Sequence, residues 1–158
     1  MNKKSQKDSF ACIVPFYNEN ISSIVDTVLE LIKVEQINSI ILVDDGSDSK
    51  ANFIALRNGF KNTSNVFVYR CGTNNGKSRA VSYGLKFVAD EYVMLCDSDL
   101  KKLASEEISE ALTKYELLKL DLLILRRMNI GFFPKIIRAD TLLSGERILK
   151  KSDLEKVL

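Results

Sequence analysis

The strongest constraint in this sequence is a rhythm, in which short apolar runs end repeatedly in polar, acidic or glycine-bearing turns. The runs are Phe10 to Val14, Ser39 to Val43, Val66 to Tyr69, Tyr92 to Cys96 and Leu122 to Leu125. Each is too short for a helix and is bounded by turn formers, so each reads as a strand. Between them apolar residues recur at helical spacing: Ile21, Ile24, Val25, Val28, Leu29 and Ile32 mark one helix face, and Ala80, Tyr83, Gly84, Phe87 and Val88 another. Strand alternating with helix is the pattern of an α/β layer fold. Ile40-Ile41-Leu42-Val43 lacks polar alternation, which requires strands covered on both faces, as in a mostly parallel open sheet with flanking helices. Such sheets bind ligands beyond the carboxyl ends of their strands, where the strand order reverses. The polar residues just after each strand are therefore the place to look for function.

A chain of 158 residues, 46% of them hydrophobic, supports one core. We expect a polar tail over residues 1–8 and a single domain over 9–158. Twenty-three basic against 21 acidic residues leave a net charge of +2, too little to draw the chain to nucleic acid or anionic lipid. Histidine is absent, which excludes Ser-His-Asp and Cys-His chemistry and any histidine-ligated metal within this sequence. Carboxylates and lysine must carry the chemistry. Cys12, Cys71 and Cys96 show no paired metal or redox spacing and read as reduced core thiols. No run has the length of a signal peptide core or a membrane span, so a cytoplasmic location is the expectation.

Four strand ends carry polar constellations. The first run leads into Pro15-Phe16-Tyr17-Asn18-Glu19, where proline is expected to stop ladder pairing and the Asn-Glu pair to begin a helix. The second leads into Asp44-Asp45-Gly46-Ser47-Asp48, with Gly46 free to take positive φ and Ser47 or Asp48 placed to cap the next helix. A cap accounts for one acid of the three. The third is followed by Gly72-Thr73-Asn74-Asn75-Gly76-Lys77-Ser78, which has the amides and lysine of a phosphate loop but not its spacing, since Cys71 stands where the first glycine belongs. An ATPase or GTPase is the rival this loop raises. The fourth ends in Asp97-Ser98-Asp99, two carboxylates on one turn, of the kind that hold Mg²⁺ or Mn²⁺ together with substrate phosphates. A solvated acidic turn is the bland alternative. In a parallel sheet all four constellations lie on the same edge, which converts four weak motifs into one site.

In this order the motifs resemble those of family 2 glycosyltransferases. The matching stretches are Ile13 to Glu19, Ile41 to Ser47, Asn75-Gly76-Lys77 through Gly84, and Leu95 to Asp99, within roughly residues 9 to 100. The resemblance implies the GT-A fold, a Rossmann-like sheet, and transfer of a sugar from a nucleoside-diphosphate sugar, a UDP-sugar above all, to an acceptor not identified by the sequence. It implies nucleotide contacts for Pro15, Tyr17, Glu19 and Asp44, with Asp45 and Ser47 supporting that pocket. It further implies a place near the base and diphosphate for Lys77, a ribose or sugar contact for Asp97, and Mg²⁺ or Mn²⁺ binding by Asp99 with Asp97.

An inverting reaction also needs a carboxylate base for the acceptor hydroxyl, and Glu146 is the candidate. It stands in Leu143-Ser144-Gly145-Glu146-Arg147, which is similar to the acceptor-side segment of glucosyl-3-phosphoglycerate synthases and related enzymes. Those enzymes retain configuration, and kinship with them makes Glu146 an acceptor contact instead. A third reading leaves Glu146 and Arg147 as solvated residues after a turn at Gly145. Arg126 to Asp140 loses the strand–helix rhythm and reads as a loop shaping an acceptor pocket, and a final short helix is expected with Ser152 as N-cap and Glu155 completing a capping box. Members of the family continue beyond this point, so the acceptor side, about 126–158, is expected to be incomplete. That leaves two alternatives to a self-sufficient transferase: a nucleotide-sugar-binding module without turnover, and a half-site completed by a partner chain or homo-oligomer.

Overall fold

The computed structural model describes residues 9–100, 103–125 and 146–158. Its strands and helices are β1 (Phe10–Phe16), α1 (Ile21–Ile32), β2 (Ile37–Asp44), α2 (Ala51–Gly59), β3 (Val66–Arg70), α3 (Lys77–Leu85), β4 (Tyr92–Leu95), α4 (Ser105–Leu118), β5 (Leu122–Ile124), β6 (Arg147–Lys150) and α5 (Lys151–Val157). The strands form one sheet in the order β3-β2-β1-β4-β6-β5. β3, β2, β1 and β4 run parallel, while β6 runs antiparallel to both β4 and β5. The chain builds outward from β1 through β2 to β3, then returns to place β4 on the other side of β1. The strand order therefore reverses beside β1, which is where a ligand crevice opens in such sheets.

Residues alternate between the two sheet faces, and both are covered as the unbroken apolar runs require. Phe10, Cys12, Val14, Ile40, Leu42 and Met94 pack with Ile24, Val28 and Leu31 of α1 and Ile108 and Leu112 of α4. Ala11, Ile13, Ile41, Val43 and Val93 pack on the opposite face with Ala80, Val81 and Leu85 of α3 and Leu154 of α5. Gly84 sets the closeness of α3 to the sheet, because a Cβ there would lie 2.9 Å from Val43 Cγ2 and 3.1 Å from Ile13 Cγ2. Asn20 caps α1 by accepting the Ser22 N–H at 2.9 Å.

Two local expectations are corrected, and one strand is added. Pro15 does not end β1, which pairs with β2 as far as Phe16–Asp44. Pairing with β4 does stop at Ile13–Leu95, followed by one bond from the Cys96 N–H to the Ile13 carbonyl. Every second residue of a strand faces the same neighbour, so Pro15 turns its missing N–H toward β4 alone. Residues 147–150, to which the sequence assigns no element, form β6 because they find ladders on β4 and β5. The ladder on β4 also fixes the start of α5: the Lys151 N–H donates to the Glu91 carbonyl at 2.8 Å, Lys150 becomes the N-cap without a side-chain bond, and Ser152 falls inside the helix. Glu155 faces Lys151 at 3.8 Å instead of closing a capping box. The expected acceptor loop from Arg126 to Asp140 lies outside the described residues, as do Ser144 and Gly145.

Candidate donor cleft

The turns after β1, β2 and β4 meet over the point of strand reversal. Between them is a cleft of about 240 Å³ lined by Pro15, Tyr17, Glu19, Asp45, Lys77, Asp97 and Asp99, together with Phe16 and Ser98. Seven of the ten residues singled out in the sequence thus share one hollow. Four of the seven are acidic, and Lys77, the cation among them, forms an ion pair with Asp97.

Asp44, expected at the nucleotide, lies behind this cleft with Ser47, and Asp45, expected as its support, lines it instead. The Asp44 side chain is 0% exposed, with Oδ1 accepting the Ser47 N–H at 2.8 Å and Oδ2 paired with the Arg70 guanidinium. Arg70 also donates to the Ser47 carbonyl at 2.6 Å, so it closes the whole Asp44–Ser47 turn from the β3 side. A buried carboxylate is tolerable only with such a partner. Arg70 has no part in the sequence reading. Its one sequence signal is a charged residue closing the apolar strand Val66–Arg70.

Neither Ser47 nor Asp48 caps α2, whose first N–H, on Ala51, is accepted by Ser49 Oγ at 3.1 Å. Both join the first turn to the second instead. Ser47 Oγ accepts the Asn18 N–H at 2.9 Å, Asn18 Nδ2 donates to Asp48 Oδ2 at 2.8 Å, and the Asp48 N–H donates to Asn18 Oδ1 at 2.9 Å. This clasp holds Asn18 at φ 52°, a left-handed conformation that asparagine tolerates better than most residues. The third turn is held as firmly. Asp45 Oδ1 accepts the Asn75 N–H at 3.2 Å, and Gly46, at φ 72°, lies so close to the next loop that a Cβ would come within 2.4 Å of the Thr73 carbonyl carbon.

The resemblance of Gly72–Ser78 to a phosphate loop weakens here. The Asn75 N–H is given to Asp45 and the Gly76 N–H to Asn74 Oδ1 at 3.0 Å, so two of the amides that would cradle a phosphate are already engaged.

Glu146 immediately precedes β6, one position beyond the Leu95–Arg147 pair, which places it on the same sheet edge as the Asp97 turn. It is buried, its carbonyl accepts the Leu125 N–H at 3.1 Å, and its charge is felt at Cys96. Contact with Cys12, burial and the charges of Glu146 and Asp97 push the Cys96 thiol well up. Glu146 is not among the residues lining the cleft.

Among the described residues no cluster of three acidic, cysteine or histidine side chains is placed to hold a metal. The acidic pair of the fourth turn has the hard oxygen chemistry that Mg²⁺ or Mn²⁺ takes when waters and phosphate oxygens complete the shell. Two carboxylates facing one cleft fit that mode, and a closed all-protein cage is not what it requires.

Comparison with known proteins bears on the family and the fold. The family described as Glycosyl transferase family 2 matches residues 11–153. The minor teichoic acid biosynthesis protein GgaB of Bacillus subtilis (strain 168) is 33% identical over 105 residues, which are 63% of this chain and 11% of that protein. Among solved structures, Staphylococcus aureus TarS (residues 1–349) superposes with a TM-score of 0.71 at 22% identity, over 94% of this chain and 49% of that one. The mannosyltransferase PcManGT of Pyrobaculum calidifontis, solved with GDP-Man and Mn²⁺, gives 0.75 at 17% identity over 97% and 47%. The chain thus spans about half the length of these solved chains and a small part of the curated relative. The structural likenesses show the GT-A fold, and the match over residues 11–153 shows that the chain belongs to glycosyltransferase family 2.

Proposed function

We propose that this domain binds a nucleoside-diphosphate sugar, a UDP-sugar foremost, in the cleft over β1 and β4 and takes part in transferring the sugar to an acceptor. The observation that carries the reading is the meeting of Asp97 and Asp99 with Pro15, Tyr17, Glu19, Asp45 and Lys77 in one hollow at the strand reversal. Two neighbours support the ligand class: TarS has been solved with UDP-GlcNAc and PcManGT with GDP-Man.

In this reading Pro15, Tyr17, Glu19 and Asp45 receive the nucleoside, with Asp44 and Ser47 holding the turn from behind. Lys77 supplies positive charge to the diphosphate, and Asp97 meets the ribose or sugar. Asp99, with Asp97, would hold Mg²⁺ or Mn²⁺, which when bound stabilises the charge on the departing diphosphate as a Lewis acid. Without phosphate the Asp97 carboxylate has Lys77 as its counter-ion. Glu146, buried beside Cys96 on the same sheet edge, is the acceptor-side carboxylate, a base if the reaction inverts and an acceptor contact if it retains.

Titration calorimetry with UDP, GDP and ATP, each with and without Mn²⁺, tests this. Metal-strengthened binding of UDP without binding of ATP supports it, and metal-dependent ATP hydrolysis overturns it. The span of about half the length of the solved neighbours favours a second reading, in which donor binding resides here and turnover needs a further segment or partner. UDP-sugar turnover against an acceptor panel separates the two. Because GgaB is named for minor teichoic acid biosynthesis, teichoic acid belongs in that panel.

A further inference from the structure

A second hollow, larger than the donor cleft, lies on the other side of the Gly72–Asn75 loop. Its volume is about 580 Å³, within the range of small-molecule sites, and Arg70, Asn75, Ser78, Arg79, Ser82 and Lys86 supply its polar lining. No acidic side chain lines it, and Leu158 borders it beside Tyr83. Ser78, Ser82 and Lys86 follow one another at intervals of four along α3 and its C-cap, so they form one stripe facing the cavity.

The three cations are in different states. Arg70 is committed to Asp44 and the Ser47 carbonyl, yet a guanidinium has five N–H groups, and these two bonds leave others for the cavity. Arg79 has no ion-pair partner among the described residues. Lys86 also has no ion-pair partner among the described residues, and its Nζ lies 5.7 Å from the Tyr83 ring. Guanidinium forks with hydroxyl and amide donors, and no acidic side chain among them, are the chemistry that recognises phosphate oxygens. Cys71 also borders the cavity, but burial and the charges of Asp45 and Asp44 push its thiol up, away from the reactive thiolate. The hollow is equipped to bind and not to react.

We infer that this basic hollow beside α3 is a second ligand site, separate from the donor cleft, which takes a phosphate-bearing group. Its volume exceeds what a single phosphate fills, and Tyr83 offers an apolar ring on the wall, so the fit is better for a phosphate ester than for the free ion.

The test is titration of the whole chain at low ionic strength in EDTA with inorganic phosphate and with sn-glycerol 3-phosphate, so that metal-dependent binding in the donor cleft is silent. Saturable binding is expected, weakened about tenfold or more in the double variant Arg79→Glu/Lys86→Glu, equivalent to about 1.4 kcal/mol or more. Binding of UDP with Mn²⁺ stays unchanged in the same variant. Both side chains are exposed, and if the charge reversal impairs folding, Arg79→Gln/Lys86→Gln serves in its place. Tighter binding of the ester identifies a phosphate ester as the ligand, and equal binding identifies free phosphate. Three results overturn the site: no saturable binding of either probe, binding indifferent to the double variant, or binding lost in Asp99→Asn, which would put the anion in the donor cleft. Because the phosphate and glycerol phosphate titrations exclude metal and nucleotide, their outcome does not depend on whether the donor cleft binds UDP.

Discussion

The two hollows on either side of the Gly72–Asn75 loop are opposites in charge and in construction. The cleft over β1 and β4 is acidic, with Glu19, Asp45, Asp97 and Asp99 against Lys77, and it is assembled from turns that follow strands. The hollow beside α3 is basic, and most of its polar lining comes from one helix face. They share a wall, since Asn75 lines the basic side while its N–H is held by Asp45 of the acidic side. A short stretch of backbone therefore keeps apart a site suited to a cation and one suited to an anion. Charge sign at the sheet edge is set by which element supplies the side chain, and the separation depends on how firmly the wall is pinned.

The most damaging way to break this contrast is to remove Arg70, which touches both sides. Arg70→Ala leaves the Asp44 carboxylate buried without its counter-ion, and a loss of about 3–5 kcal/mol is expected in denaturant unfolding. The paired change Asp44→Asn/Arg70→Met should recover much of that loss, and failure to recover would show that Arg70 acts through something other than Asp44. Gly46→Ala comes next. It forces a Cβ into the Thr73–Asn74 backbone at a positive φ, and about 1–3 kcal/mol of destabilisation should appear together with weaker UDP binding, because the wall itself must shift. Unchanged stability would mean that the loop yields freely.

A smaller effect sharpens the acidic side alone. Asp99→Asn should abolish the Mn²⁺-dependent strengthening of UDP binding, about tenfold or more in calorimetry, while leaving unfolding free energy nearly unaltered. Retained metal dependence would reduce the Asp97–Asp99 turn to a solvated corner. The smallest effect compares the thiols beside the two hollows. At pH 8 a disulfide-exchange reagent should label Cys71 more slowly than a free model thiol, since its ionisation is pushed up, and Cys96 only on unfolding. Both thiols favour the folded state at low and neutral pH, where they are neutral. That contribution declines once the pH rises past the ordinary thiol range, because the unfolded chain then ionises first.

The two regions also differ in how far the sequence reveals them. Asp44, Asp45, Asp97 and Asp99 follow apolar runs directly, and a parallel sheet leaves their turns only one edge to occupy. The central strands and the faces of α1 and α3 are legible for the same reason, since periodicity reports burial directly. Arg70 escapes because its importance comes from Asp44, a residue on another strand, and no local pattern encodes that pairing. The stripe on α3 escapes because serine, arginine and lysine on a helix read as a solvated face. β6 is four residues with charged ends, and its ladders with β4 and β5 make it a strand. The ladder with β4 also overrides the capping pattern at Ser152, a tertiary contact outweighing a local preference.

The placement of β6 bears on how the domain is made. β1, β2, β3 and β4 are synthesised in succession and can pair as they emerge, but the outer side of β4 gains its neighbour only when Arg147–Lys150 has been translated. Until then β4 presents an unpaired edge, a template for joining another chain. The nascent chain is therefore open to sticking at the strand that leads into the Asp97–Asp99 turn until β6 is made, and co-translational crowding should be felt there.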